Sequence, residues 1–153
     1  MYRRQKLLGN AGFTLAEMML VLALIGVLAS ATASNMLPQL PRYRLQRASA
    51  QLVWHLRALR LQAVSQQYPI TVTFTNDHVY TVFRDKNRNG AADADETQTT
   101  DIQAAYSGVT VASTNNPIFT PTGIVNNLAA ITLTGAGSIR TISMTAAGGI
   151  TLN

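Results

Sequence analysis

The hydrophobic and polar positions along the chain divide it into three parts with different periodicities. Residues 13–37 form an apolar run of twenty-five residues in which Glu17 is the only charged residue. At about 1.5 Å of rise per residue, a helix of this length spans a hydrocarbon layer of roughly 30 Å. The run is preceded by three basic residues and no acidic residue, namely Arg3, Arg4 and Lys6. This arrangement predicts a membrane helix with a cytoplasmic N-terminal end and an exported C-terminal side.

A helical period follows the apolar run, in the segment 38–67. The apolar positions that recur there at steps of three and four are Leu45, Ala48, Leu52, Leu56, Leu59 and Ala63. They share one stripe, which predicts an amphipathic helix that packs on another element. Trp54 and Leu61 lie opposite this stripe and are expected to be exposed, which indicates a surface for a partner.

After Tyr68, apolar residues recur at every second position instead of at steps of three and four. Residues 70–75 alternate apolar residues with threonine, which predicts a half-buried antiparallel strand. Residues 78–84 are the expected returning strand, with either Val79 and Phe83 or Tyr80 and Val82 facing inward. Further strands are expected at 109–112, 118–120, 130–134, 139–145 and 149–152. The predicted fold class is therefore α+β, with a long N-terminal helix packed on a C-terminal antiparallel β-sandwich-like domain over 68–153.

Composition and charge exclude several function classes. The chain has no cysteine, so neither a disulfide framework nor a thiolate metal site can form. Its net charge of +5 owes much to the first twelve residues, since the remainder carries nine basic and seven acidic residues. The chain has no cysteine nucleophile, no Gly-x-Ser-x-Gly motif, no phosphate-binding glycine loop and no zinc-protease motif, and His55 and His78 are isolated in sequence. These features indicate that the protein is not an enzyme.

Residues 85–96 match the spacing of a twelve-residue calcium loop. The predicted calcium ligands are Asp85, Asn87, Asn89, Ala91 (through its backbone carbonyl), Asp93 and Glu96. Hard oxygen ligands without histidine or cysteine favour one structural Ca²⁺ over zinc. No amphipathic helix flanks the loop, so the site would lie in a connection between strands. Lys86 and Arg88 weaken the negative field of the loop, and the alternative is a polar turn that holds no metal.

The hexapeptide Gly12-Phe13-Thr14-Leu15-Ala16-Glu17 lies immediately before the apolar run. It resembles the processing signal of type IV pilins and type II secretion pseudopilins. The resemblance implies that a prepilin peptidase removes a leader, residues 1–12, and that Phe13 is then N-methylated. It also implies that Glu17 neutralises the N-terminal amine of a neighbouring subunit. The alternatives are a plain membrane anchor, or a secretory signal peptide cut near residues 29–33 that releases a soluble β-domain.

Three strings in the C-terminal half narrow the resemblance from pilins and pseudopilins in general to one group of them. The strings Ile118-Phe119-Thr120-Pro121-Thr122-Gly123, Ala130-Ile131-Thr132-Leu133-Thr134 and Arg140-Thr141-Ile142-Ser143-Met144-Thr145 are similar to the FimT/GspH group. The group implies a minor pilin or pseudopilin that is inserted once in the bacterial inner membrane, with a periplasmic C-terminal domain, before it joins a filament at or near the tip. The implied partners are the prepilin peptidase, other pilins, an inner-membrane assembly platform and membrane lipid.

An alternative within the same group is a pilus-associated DNA receptor for natural transformation. Members implicated in DNA uptake end in a Gly-Arg-x-Arg pattern, whereas this chain has Gly148-Gly149-Ile150-Thr151. The absence of both arginines argues against DNA capture through the tail. The remaining candidates for phosphate contacts are Arg42, Arg44, Arg47, Arg57, Arg60 and Arg140. The helical arginines could equally form a solvated or inter-subunit face, or contact anionic lipid headgroups.

Overall fold

The computed structural model describes residues 12–36 and 39–153, so the predicted leader, apart from Gly12, lies outside the described residues. The chain divides into two compact units, Met1–Pro38 and Gln39–Asn153. The first unit contains helix α1, Leu15–Met36, and the side chains of residues 12–30 are exposed. Within the described parts of the chain, no helix combines the length and the apolar character that a membrane crossing requires.

The second unit begins with helix α2, Leu40–Gln66, which has a proline in its first turn and ends at Gln67 in a left-handed conformation (φ 60°). The amphipathic helix predicted from the sequence is thus confirmed. The buried residues of α2 are Leu45, Ala48, Ser49, Leu52, Val53, Leu56, Leu59 and Ala63. All six predicted stripe positions are among them. Ser49 is accommodated in the interior because its hydroxyl donates to the carbonyl of Leu45, at 2.7 Å.

Nine strands follow, in chain order β1 Ile70–Phe74, β2 Val79–Arg84, β3 Thr97–Asp101, β4 Thr110–Ser113, β5 Ile118–Phe119, β6 Val125–Asn126, β7 Ala130–Gly135, β8 Ser138–Met144 and β9 Ile150–Leu152. They form a five-stranded sheet of order β3-β2-β1-β5-β6 and a four-stranded sheet of order β4-β7-β8-β9. All pairings are antiparallel. The predicted α+β class is confirmed, with β3 and β6 as strands that were not predicted.

Helix α2 is the element that contacts both sheets. It packs mainly on β7, β8 and β9, and it also contacts β1 and β5. The core contains Leu56 and Leu59 from the helix, Val72 and Val82 from the first sheet, and Ile142 from the second, each at most 2% exposed. Of the two orientations left open for β2, the structure has Tyr80 and Val82 buried.

Candidate functional site

The candidate calcium loop, residues 85–96, connects β2 to β3. Its two ends are joined by the sheet, because the backbone N–H of Arg84 donates to the carbonyl of Glu96 at 2.8 Å. The N–H of Asp85 donates to the carbonyl of Pro69 at 3.1 Å, which ties the loop to the segment between α2 and β1. The chain reverses at Gly90, whose φ of 72° favours glycine. The loop is therefore a closed connection at one end of the first sheet.

The first and last residues of the loop place two carboxylates in the interior. Glu96 is 3% exposed, and its Oε1 accepts from the N–H groups of Lys86 at 2.9 Å and Asn87 at 3.2 Å. Asp85 is 8% exposed, and its Oδ2 accepts from the N–H of Gly90 at 3.2 Å. The second oxygen of each group, Oδ1 of Asp85 and Oε2 of Glu96, is buried without a hydrogen-bond partner. A buried carboxylate oxygen left without a partner is energetically unfavourable.

The other predicted ligands lie in the same loop. Oδ1 of Asn87 accepts from the N–H of Asn89 at 2.9 Å, and Oδ1 of Asn89 accepts from the N–H of Ala91 at 2.7 Å. Both amide nitrogens donate to Oδ2 of Asp93, at 2.9 Å and 3.3 Å. The carbonyl of Ala91 accepts from the N–H of Asp93 at 3.1 Å. These four residues are thus folded against one another, with Asp93 half-buried.

In the part of the chain that the structure describes, acidic and imidazole groups alone do not make up a metal centre. Within residues 12–36 and 39–153, no three or more His, Cys, Asp or Glu side chains are grouped so that they could hold a metal ion. A site in the loop would therefore depend on amide and backbone oxygens in addition to carboxylates, as calcium loops do.

The two basic side chains of the loop bond to groups other than its buried carboxylates. Lys86 Nζ donates to the carbonyl of Asp95 at 3.0 Å and lies 3.7 Å from Oδ2 of the same residue. Arg88 donates to the carbonyl of Gln67, the residue that ends α2. Within the described residues, neither cation forms an ion pair with Asp85 or Glu96.

The outer face of α2 carries the two large apolar residues that were expected to be exposed. Trp54 is 69% exposed and Leu61 is 70% exposed, so this prediction is confirmed. They are seven residues apart and therefore lie on the same side of the helix. The guanidinium of Arg57 lies 5.9 Å from the centre of the Trp54 ring. The outer face is an apolar surface flanked by a cation.

Two of the six candidate phosphate-binding arginines form hydrogen bonds from α2 to backbone carbonyls of the β-domain. Arg57 donates to the carbonyl of Ile150 at 2.7 Å, and Arg60 donates to the carbonyls of Gly123 at 2.9 Å and Ala147 at 3.2 Å. Sequence reasoning missed this role, because the acceptors are backbone atoms far along the chain.

The other four arginines are arranged differently. Arg47 donates to the hydroxyl of Tyr43 and lies 4.7 Å from the centre of its ring. Arg42, Arg44 and Arg140 are exposed, with Arg140 on strand β8 rather than on the helix. DNA contact by these residues remains a prediction.

A polar pair links α2 to β2, with His55 half-buried and Tyr80 buried. Nδ1 of His55 lies 2.7 Å from the hydroxyl of Tyr80. Burial lowers the pKa of His55, and the nearby Arg84 lowers it further. Burial also raises the pKa of Tyr80. Both groups are therefore held in their neutral forms, which suits a structural hydrogen bond.

The predicted processing and assembly residues are accessible at the start of α1. Gly12, Phe13 and Glu17 are exposed. The N–H of Glu17 donates to Oγ1 of Thr14 at 3.2 Å, so Thr14 caps the first turn of the helix. Cleavage after Gly12 would thus leave the cap and the helix intact.

Comparison with protein families gives two matches along the chain. The family described as type II transport protein GspH matches residues 48–148. The prokaryotic N-terminal methylation motif matches residues 8–33. A search of curated proteins gave no match.

Two minor filament proteins are among the similar solved structures. The type IV minor pilin FimU of Pseudomonas aeruginosa is 20% identical, with a TM-score of 0.58 over 73% of this chain and 90% of that chain. The minor pseudopilin EpsH from the type 2 secretion system of Vibrio cholerae is 11% identical, with a TM-score of 0.57 over 72% of this chain and 96% of that chain. At these identities the likeness demonstrates a shared fold.

Proposed function

This chain belongs to the GspH family, and from that membership we propose that it is a structural minor subunit of a type IV pilus or of a type II secretion filament, without enzymatic activity. The observation that carries the proposal is the presence of two matches in one chain. The methylation motif covers residues 8–33 and the GspH region covers residues 48–148. FimU and EpsH, which share the fold, are respectively a minor pilin and a minor pseudopilin.

Processing between Gly12 and Phe13 is the first step of the proposed function. The methylation motif includes both residues, and both are exposed ahead of helix α1. A prepilin peptidase therefore removes residues 1–12, and Phe13 becomes the N-methylated terminus. The exposed Glu17, one turn further along, then neutralises the terminal amine of a neighbouring subunit. Pairing with that cation offsets much of the desolvation that a carboxylate suffers in an apolar filament interior.

The proposed location follows from the order of charged and apolar residues. The apolar run 13–37 inserts once in the bacterial inner membrane, with the basic residues before it on the cytoplasmic side. The unit Gln39–Asn153 is then periplasmic. The subunit subsequently leaves the bilayer for a position at or near the filament tip, with an inner-membrane platform and other pilins as its partners. The exposed Trp54 and Leu61 supply an apolar surface for such neighbours.

Mass spectrometry of the mature N-terminus tests the proposal. The protein isolated from a strain that expresses the prepilin peptidase is expected to begin with N-methyl-Phe13, and the protein from a peptidase-deficient strain is expected to retain residues 1–12. A mature protein that begins at Thr32 or Ser34 would instead identify a secreted soluble domain and overturn the proposal.

Substitution of Glu17 tests the assembly step separately. Glu17→Gln removes the charge and keeps the size of the side chain, so processing is expected to be normal. Incorporation into filaments sheared from the cell surface is expected to fall at least tenfold. Thr14→Ser, which keeps the helix cap, is the matched control and is expected to assemble normally. Normal incorporation of Glu17→Gln would contradict the assigned role.

A further inference from the structure

The β2–β3 connection contains buried negative charge whose partner is not supplied by the protein. Asp85 and Glu96 are both more than nine-tenths buried, and one oxygen of each carboxylate has no hydrogen-bond partner. Buried polar atoms without a partner in the protein are few in folded proteins, and a water or an ion commonly satisfies them. Two such atoms at the first and last positions of one twelve-residue loop indicate a ligand site more strongly than either atom alone.

Both carboxylates are held by the backbone of the loop itself. Their partnered oxygens accept hydrogen bonds from backbone N–H groups of the loop itself, at positions 86, 87 and 90. These bonds fix the orientation of each carboxylate and leave Oδ1 of Asp85 and Oε2 of Glu96 for another ligand. The cations of the loop do not take this role, because Lys86 bonds to Asp95 and Arg88 bonds to Gln67.

The chemistry of the available donors selects the ion. The loop offers carboxylate oxygens, two side-chain amide oxygens and a backbone carbonyl, at alternating positions from residue 85 to residue 93 and then at residue 96. Hard oxygen donors of mixed type suit Ca²⁺, which accepts six to eight of them (roughly 2.3–2.6 Å away) in flexible geometry. Mg²⁺ requires a tighter octahedron and retains its waters, and zinc prefers nitrogen and sulfur ligands.

We propose that residues 85–96 form a calcium site in this protein. Asp85 and Glu96 supply the buried charge, and Asn87, Asn89 and the carbonyl of Ala91 supply neutral oxygens. Asp93, at the ninth position of the loop, acts through a water, as that position of calcium loops often does. The ion is structural: it compensates the two buried oxygens and stabilises a loop bonded to Gln67 and Pro69 at the end of α2. The site goes beyond filament assembly and does not depend on which filament the subunit joins.

Calorimetry and thermal unfolding test the site directly. The full-length chain, purified in a non-ionic detergent and freed of metal with a chelator, is titrated with CaCl₂ and in parallel with MgCl₂. We expect saturable binding of one Ca²⁺ with a dissociation constant of about 10⁻³ M or lower, and weaker binding of Mg²⁺. At about 10 mM CaCl₂ the Tm is expected to rise by roughly 5 °C. A Tm that calcium leaves unchanged, together with no binding heat, would overturn the proposal.

Charge-removing variants locate the site. Asp85→Asn and Glu96→Gln are each expected to reduce calcium affinity at least tenfold and to lose the calcium-dependent rise in Tm. Asp95→Asn is the matched control, since Asp95 is exposed and bonds to Lys86 on the outer side of the loop. It is expected to bind calcium as the parent does. Parental affinity in Glu96→Gln would overturn the assignment.

A gain-of-affinity variant keeps the test independent of folding, because Glu96 and Asp85 are buried and their variants could unfold. Asn89→Asp replaces a neutral ligand of the proposed site by a carboxylate at an exposed position and is expected to tighten calcium binding several-fold. Asn126→Asp makes the same change of charge on strand β6, outside the loop, and is expected to leave the affinity unchanged. Equal affinities for these two variants would contradict the proposed ligand set.

Discussion

The guanidinium of Arg60 lies directly against Gly148, although the two residues are far apart in sequence. A Cβ atom at Gly148 would come within 2.1 Å of Nε and 2.3 Å of Cζ of Arg60. The same guanidinium donates to the carbonyls of Gly123 and Ala147. Gly148 also has a φ of 87°, which disfavours other residues. The contact between α2 and the turn before β9 therefore requires both this arginine and this glycine.

Replacement of Gly148 by alanine is expected to destabilise the protein by about 2–3 kcal/mol. This is the sum of a backbone penalty and the loss of the Arg60 hydrogen bonds, because the new Cβ displaces the guanidinium. Gly137→Ala is the matched control. Gly137 has a similar φ of 69°, but nothing lies within 4 Å of its added Cβ. Its expected loss is about 1 kcal/mol. Denaturant unfolding of both variants gives the difference, and equal losses would show that the contact with Arg60 is unimportant.

Arg60→Met is expected to lower the free energy of unfolding by about 1–3 kcal/mol, because the carbonyls of Gly123 and Ala147 lose a charged donor. Arg44→Met is the control, since Arg44 is exposed on the same helix, and a change within about 0.5 kcal/mol is expected. Chemical denaturation measures both. Equal stability of the two variants would show that the hydrogen bonds of Arg60 contribute no more to stability than the exposed Arg44 does.

DNA binding is expected to be weak. Arg57 and Arg60 are bonded to backbone carbonyls, and the other candidates are divided between α2 and β8. Since affinity for DNA grows with the number of phosphates neutralised together, a gel shift with the full-length chain is expected to show no retention at about 150 mM salt. Micromolar binding that weakens steeply with salt would instead favour a DNA receptor.

The outer face of α2 is expected to serve assembly and not folding. Trp54→Ser and Leu61→Ser should each change the free energy of unfolding by less than about 0.5 kcal/mol, because both side chains are exposed. Incorporation into sheared filaments should nevertheless fall. Ile139→Ser, at an apolar residue that is 65% exposed on β8, is the control and should assemble normally. Normal assembly of the Trp54 and Leu61 variants would exclude this face as a contact surface.

His55 is expected to make stability depend on pH. Its pKa in the folded protein lies below the ordinary value of 6.5, through burial and then through Arg84. When the pH falls below 6.5, the unfolded chain takes up a proton that the folded chain resists, so stability decreases with acidification through this window. His55→Gln should flatten the dependence of Tm on pH between about 7.5 and 5.5. Identical slopes in the parent and in His55→Gln would contradict this.

The sequence predicts the helix α2 and most strands because their apolar positions are periodic. The stripe from Leu45 to Ala63 and the alternation of β1 both match the buried positions. Strand β3 was not predicted, because its sequence TQTTD has no apolar alternation and its pairing is provided by β2 alone. The orientation of β2 could not be chosen either, since both of its faces carry apolar or aromatic residues.

The candidate calcium loop was predictable in part. The spacing from Asp85 to Glu96 identified the loop, but spacing does not reveal which oxygens are left without a donor. That depends on the backbone N–H groups that approach each carboxylate after the chain has folded. The hydrogen bonds of Arg60 could not be predicted from a sequence pattern either. Their acceptors are main-chain carbonyls, which every residue possesses.

The simultaneous contact of α2 with both sheets has a mechanical consequence. If the subunit is incorporated in a filament as proposed, a load applied at Leu40, the first residue of α2, would reach the β-domain through this helix. The helix packs on β7, β8 and β9 and touches β1 and β5, so a pull along its axis must shear many side chains at once. Arg57 and Arg60 add hydrogen bonds to the main chain at Ile150 and Ala147, in and just before β9. Such a load would therefore be shared between the two sheets.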